Sequence, residues 1–385
     1  MIPGSVTPKD HAGTTRRFVF LDGLRGVAAL AVLGHHLYTN SELQEPLSHV
    51  FPRWIAYLLT EGARGVQIFF VLSGFVIAYS CRNLWVTPRS AANFALRRQI
   101  RLDPAYWICL ALAAVNLWGA VIVHPGAPVP APTLGELLSN VFYLQGFFHH
   151  RDILLVAWTL RYEVQFYLVF IVLLCITQRL RQIPHLACLD GTIASVLLFS
   201  VWASLALRLH MGYSEPPLFI YNWYLFGLGA LAWYSFNKQM RPAVFWATAA
   251  ATLVCGIWMR YEQMIVGDAT AVIIFVVGQA GLLSKWSGGR VIQYLGRTSY
   301  SLYLIHIEVA MRVLKIGIHL TGMAKAPAFV WFILGGAASF GAAHLLYIFV
   351  ERPTMRVASR LKSKTHASTS TEMPPLTATL AVPQS

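Results

Sequence analysis

The sequence predicts an all-α integral membrane protein, a bundle of about ten transmembrane helices with both termini in the cytoplasm. Composition, the recurrence of apolar runs and the placement of positive charge each point there. Of the 385 residues, 56% are hydrophobic and only 12% charged, and the mean hydropathy is +0.56. A soluble domain carries about 25% charged residues, and one aqueous core cannot enclose so much apolar surface. A bundle in lipid can, because its outside is apolar as well. The formal charge of +14 would suggest nucleic-acid binding in a soluble protein. Here Lys and Arg lie in short segments between apolar runs, as the positive-inside rule produces, so no nucleic-acid partner is expected and membrane lipids are.

The elements follow in order. Residues 1–17 are polar and mixed and read as a flexible cytoplasmic N-terminal arm. No cleavable signal peptide is expected, because the first apolar stretch begins near Phe18 and holds Asp22 and Arg25. At about 20 residues per crossing, spans are predicted near 18–38, 64–80, 104–123, 153–176, 191–208, 218–234, 242–259, 264–283, 294–316 and 328–350. In the third of these, Pro104 is expected to start the helix. Residues 18–356 thus form one transmembrane domain, and 357–385, basic and then rich in Ser, Thr and Pro, are expected to be a disordered cytoplasmic tail. The five cysteines have no paired spacing and read as small core residues.

Charge sets the orientation. The segments assigned to the inside hold clusters such as Arg97, Arg98 and Arg101, or Arg352, Arg356 and Arg360, whereas the outer loops hold only isolated cations such as Arg53 and Arg151. Every inner segment outweighs its outer neighbours, which gives an even number of spans.

Ionisable residues at bilayer depth are costly and mark candidate sites. The first span carries Asp22, Arg25, His35 and His36. At about 100° per residue, Arg25 and His36 fall within roughly 20° of one another, with Asp22 about 40° from that line and His35 roughly 80° away. Asp22, Arg25 and His36 therefore share a stripe suited to acid–base chemistry; the alternative is an Asp–Arg bridge with His36 at the outer interface. In the fourth span, AWTLRYEVQFYLVF places Glu163 near mid-depth, on a face with Thr159, Phe166 and Tyr167. Its alternative is a structural ion pair with an arginine of another span.

In FALRRQIRLDPAYW, Arg98 and Arg101 are three apart and face the same way. Two guanidiniums on one face make a phosphate clamp, or else an ordinary positive-inside anchor. Ser299, Tyr303 and His306 line up at helical spacing in a later span, a pattern that often only joins helices. His149 and His150 read as solvent-facing, and no zinc-type cluster, phosphate-binding glycine loop or G-x-S-x-G elbow is present in the sequence, so neither a metal nor a permanently bound cofactor is expected.

The segments LDGLRGVAALAVLGHHL, GVQIFFVLSGFVIAYS, FALRRQIRLDPAYW, WTLRYEVQFYL, GRTSYSLYLIHIEV and VERP occur in this order over residues 18–356. Together they resemble the acyltransferase-3 family of membrane-bound O-acyltransferases. The resemblance implies a ten-span core that moves an acetyl or other short acyl group from acyl-CoA, the donor substrate, to a hydroxyl. The implied acceptor is a sugar of a surface polysaccharide or its lipid-linked precursor, or a small molecule, and the implied location is a bacterial inner membrane. The family's essential Arg and His, ten residues between them, fall on Arg25 and His36. Its paired arginines fall on Arg98 and Arg101 and its fourth-span acid on Glu163. Asp103 stands where an aromatic residue is common and Arg161 where a small one is, which bears on donor or acceptor preference.

The expected mechanism has Arg98 and Arg101 holding the donor's phosphates and Arg25 near the thioester. His36 serves as general base on the acceptor hydroxyl, with a covalent acyl-His relay as a variant. Asp22 or Glu163 balances the charges. An undistorted helix keeps Arg25 and His36 roughly 16 Å apart along its axis, so one carbonyl cannot touch both. The rival readings are a transporter of a polar or lipid-linked substrate through the same charged interior, and a non-catalytic assembly subunit.

Overall fold

The computed structural model describes residues 18–39, 42–123, 129–180, 182, 192–211, 218–285, 288–322 and 324–369. These residues are helical and contain no strand. The helices are α1 (Val19–Thr39), α2 (Gln44–Ser48), α3 (Arg53–Glu61), α4 (Gly65–Cys81), α5 (Pro88–Val123), α6 (Leu134–Val141) and α7 (Ala157–Leu180). After them come α8 (Thr192–Met211), α9 (Trp223–Phe236), α10 (Pro242–Trp258), α11 (Glu262–Gln279), α12 (Gly289–Thr321), α13 (Lys325–Leu346) and α14 (Arg352–Thr369). Short 3₁₀ turns precede α4 and α9, and a π-helical turn, Tyr347–Glu351, joins α13 to α14.

Each of the ten apolar runs coincides with a helix, but among the described residues six helices are long and apolar enough to cross a membrane. These are Arg53–Cys81, Pro88–Val123, Ala157–Leu180, Ile193–His210, Glu262–Gln279 and Lys325–Leu361. α1, α9, α10 and α12 are not among them; α10 is apolar but only 17 residues long. α9 is short and buried on all sides, from Trp223 through Ser235, while α1 and α12 carry the ionisable stripes of the interior. Helices inside the bundle are shielded from lipid and need not be apolar all round. The outer helices show the reverse: Trp258 is 80% exposed, Phe199 77% and Ile122 77%. In water these side chains would turn inward.

Glycines set the closest approaches at the centre. α1 and α12 meet where a Cβ on Gly296 would overlap the Asp22 carbonyl and one on Gly26 would lie 2.7 Å from Gly296 N. α4 and α9 meet in the same way, Gly74 against the Phe226 carbonyl and Gly229 against that of Val71. Small residues that let backbones touch are how helices associate where lipid removes the hydrophobic drive.

Two expectations are corrected. α5 does not begin at Pro104 but runs 36 residues with Pro104 inside it. The proline removes one backbone hydrogen bond, yet tertiary contacts hold the turn: Tyr300 Oη donates to Leu102 O (2.9 Å) and Tyr143 Oη to Asp103 Oδ1 (3.0 Å). FALRRQIR is therefore helix rather than connecting loop. The tail expected to be disordered from residue 357 is helical as far as Thr369, because α14 continues the α13 axis through the π turn and needs no separate nucleation. The remainder of the tail and the N-terminal arm lie outside the described residues. Cys81 and Cys109 are buried, Cys175 and Cys255 half-buried, and all four are free thiols; Cys188 lies outside the described residues.

Candidate active site

Helical periodicity brings five of the six sequence-predicted site residues to one place. Asp22 and Arg25 from α1, Arg98 and Arg101 from α5 and Glu163 from α7 line a cavity of about 320 Å³. Four arginines (Arg25, Arg82, Arg98, Arg101) face two carboxylates (Asp22, Glu163) there, among aromatic walls from Phe69, Phe70, Tyr300 and Tyr303. The surplus of positive charge suits an anionic ligand.

Each charge is held in a particular way. Arg98 Cζ lies 4.7 Å from the Tyr167 ring centroid and 5.6 Å from that of Phe94, a cation–π seat that leaves guanidinium N–H groups available. Glu163 accepts hydrogen bonds from Ser73 Oγ (3.0 Å) and from the Tyr167 hydroxyl. Thr159, Glu163 and Tyr167, one turn apart on α7, all line the cavity; Phe166, expected on the same face, instead stacks on Phe226 at 4.3 Å in the apolar core. Arg101 lies within electrostatic range of Arg25, Arg98, Glu163 and Glu351. Arg25 Nε is buried without a hydrogen-bond partner.

Glu351 was legible only as part of the VERP segment and had no assigned role. It is buried on the π turn, accepts from Ser301 Oγ (2.6 Å) and faces Arg101 and Arg25 as a third carboxylate. π turns concentrate at functional sites because they reset which side chain points inward. A second, apolar cavity of about 380 Å³ between α5 and α7 shares Arg98, Leu102 and Tyr167 with the first.

His36 does not line the charged cavity. α1 is an unbroken helix from Val19 to Thr39, so Arg25 and His36 stay roughly 16 Å apart along its axis. His36 packs against His306 of α12, ring centroids 5.2 Å apart, and beside His35 at 5.1 Å. His35 takes a different partner, its Nδ1 donating to Thr60 O of α3 (2.7 Å). The two regions are joined by Tyr303, which lines the cavity, bonds Thr159 Oγ1 through its hydroxyl (2.9 Å) and lies 6.1 Å from the His306 ring. Within the α12 stripe, Tyr303 lines the cavity and His306 meets His36. Ser299 is spent locally, on Gly296 O (2.9 Å), and so is His306 Nδ1, on Leu302 O and Tyr303 O of the same helix.

The residues that depart from the expected motif pattern sit away from this chemistry. Arg161 Nη1 lies 3.8 Å from Asp152 Oδ1, and Asp103 is held by Tyr143; neither lines the charged cavity. His150 Nδ1 is bonded to Ser139 Oγ (2.9 Å) rather than facing solvent, while His149 is exposed.

Comparison with known proteins agrees with the motifs. The acyltransferase-3 family model, described as an acyltransferase domain, matches residues 18–348. The peptidoglycan O-acetyltransferase OatA of Listeria monocytogenes is 26% identical over 382 residues, covering 88% of this chain and 56% of the Listeria protein. The chain thus spans little more than half of that relative's length. Nodulation protein 10 of Rhizobium leguminosarum is 24% identical over 89% of this chain and 95% of its own. The exopolysaccharide production protein ExoZ of Rhizobium meliloti is 24% identical over 77% and 90%. No solved structure matches the chain. With the family model spanning nearly the whole helical bundle, the chain belongs to the acyltransferase-3 family and is an acyltransferase.

Proposed function

We propose that the enzyme transfers an acetyl or other short acyl group from acyl-CoA to a hydroxyl of a carbohydrate, a surface polysaccharide or its lipid-linked precursor. The observation that carries this reading is the cavity in which four arginines outnumber two carboxylates within a helical bundle. Arg98 and Arg101, with Arg25, hold the donor's phosphates, and Asp22, Glu163 and Glu351 limit the mutual repulsion of the arginines. The pantetheine arm then extends past Tyr303 along α1. Its length covers the interval from Arg25 to His36, so one bound donor reaches both. Arg25 on this reading serves the anionic end of the donor, and the thioester lies near His36.

His36 takes the proton of the acceptor hydroxyl as its oxygen attacks the thioester carbon. The C–O bond forms, the C–S bond breaks and the thiolate recovers the proton. The names of relatives that act on peptidoglycan or take part in exopolysaccharide production support a carbohydrate acceptor. Ten crossings, cytoplasmic termini and a bacterial inner membrane complete the reading; the arginine-rich end of α5 then opens to the cytoplasm, where acyl-CoA is found.

The test is thiol release from acetyl-CoA by the purified, detergent-solubilised enzyme, with oligosaccharide and polysaccharide acceptors and mass analysis of the product. Acceptor-dependent thiol release with acetyl ester on the sugar is expected. Ester formation from another donor, with acetyl-CoA untouched, contradicts the donor assignment.

A further inference from the structure

His306 is unusual among the buried polar residues. It is 1% exposed in the middle of α12, and its two ring nitrogens have opposite circumstances. Nδ1 lies 3.0 Å from Leu302 O and 2.8 Å from Tyr303 O. Carbonyl oxygens only accept, so Nδ1 must carry the proton. In the neutral ring Nε2 is then a bare lone pair, and it is buried with no hydrogen-bond partner. An unsatisfied acceptor at this depth is costly, and a residue that only filled space would not require one. A phenylalanine would fill it without that penalty.

The position of that lone pair gives it a use. The His306 ring lies 5.2 Å from His36 on one side and 6.1 Å from Tyr303, which lines the charged cavity, on the other. The close glycine contact of Gly26 with Gly296 fixes α1 against α12 one helical stretch below, so the two imidazoles are held together by backbone rather than by flexible side chains. The titratable groups facing His36 include His35 on its own helix and His306 on α12. Of these, His35 Nδ1 is committed to Thr60 O.

Resting on the proposed acyl transfer, we infer that His306 is the proton partner of His36. When His36 takes the hydroxyl proton, both of its ring nitrogens become donors and its positive charge lies beside His306. His306 Nε2 accepts a hydrogen bond from one of them and holds the ring in place while the C–O bond forms. On collapse the proton passes to the departing thiolate, leaving both imidazoles neutral. Acceptor alcohol and thioester become ester and thiol with nothing added. His306 is thus a positioning residue acting through His36.

The experiment uses the full-length enzyme in detergent with acetyl-CoA as donor, reading thiol release, and three forms: wild type, His306→Phe and His306→Gln. His306→Phe should lower kcat on the order of 10²-fold with KM for acetyl-CoA unchanged, and the amide oxygen of His306→Gln should restore part of it. Independently of turnover, the ¹⁵N spectrum of histidine-labelled protein, assigned by the signal lost in His306→Phe, should show His306 protonated on Nδ1 and bare on Nε2. A wild type inert toward acetyl-CoA with every acceptor defeats the proposed function. Full kcat in His306→Phe beside an active wild type, or a proton on Nε2, defeats this inference alone.

Discussion

His36 and His306 stand ring to ring, 5.2 Å between centroids, on two helices whose glycines touch one stretch below. The charged cavity lies at the level of that glycine contact, and the imidazole pair lies above it. Donor binding and proton transfer, as proposed, fall at different depths of one bundle, and each can be perturbed separately.

The donor end comes first. Arg101→Ala should weaken acetyl-CoA binding by about 10- to 100-fold, the loss of one charge-assisted contact at roughly 1.5–3 kcal/mol. Arg101→Lys should recover only part, since an ammonium cannot form the guanidinium fork. Binding is measured by calorimetry on protein of equal monodispersity. Unchanged affinity in the alanine variant would leave Arg101 as a topological anchor.

The helix contact can be tested by a substitution at Gly296. A Cβ at Gly296 overlaps the Asp22 carbonyl, so Gly296→Val must push α1 from α12. Overpacking of this kind costs about 1–3 kcal/mol. A lower unfolding midpoint in detergent, together with loss of activity, is expected; an unchanged midpoint would mean that the two helices adjust freely.

Tyr303 separates packing from chemistry. Tyr303→Phe keeps the ring beside His306 and removes the bond to Thr159 Oγ1. A single hydrogen bond contributes about 1 kcal/mol, so stability should fall slightly while kcat stays within a few-fold of wild type. A large fall in kcat would give the hydroxyl itself a part in the reaction.

Much of this was legible in the sequence, and the misses have two causes. The stripe of Asp22 and Arg25, the pair Arg98 and Arg101, and Glu163 with Thr159 and Tyr167 all follow from helical spacing within one segment. Their convergence on one cavity accords with that spacing. Periodicity also separated His36 from His35, which meet α12 and α3 respectively. What periodicity cannot supply is the partner on another helix. Glu351 and His306 matter because of what they face across the bundle, and neither neighbour is near in sequence. Pro104 misled for the opposite reason: its local rule was overruled by Tyr300 and Tyr143, whose hydroxyls hold Leu102 and Asp103 from elsewhere in the chain.

Orientation rests on the distribution of arginine and lysine. Reporter fusions after Thr14 and Ser363 should both read as cytoplasmic. Opposite locations would require an odd number of crossings and would place one of the ten helical stretches outside the membrane.

His36 as the proposed general base of acyl transfer is tested most directly by the rate of acetyl transfer from acetyl-CoA by His36→Gln, normalised to protein in the membrane. Glutamine keeps hydrogen-bonding capacity but cannot take the proton. A fall of about 10²–10⁴-fold is expected, with donor binding at the arginines intact and His35→Ala retaining substantial activity. Transfer by His36→Gln at nearly the wild-type rate would contradict the general-base role.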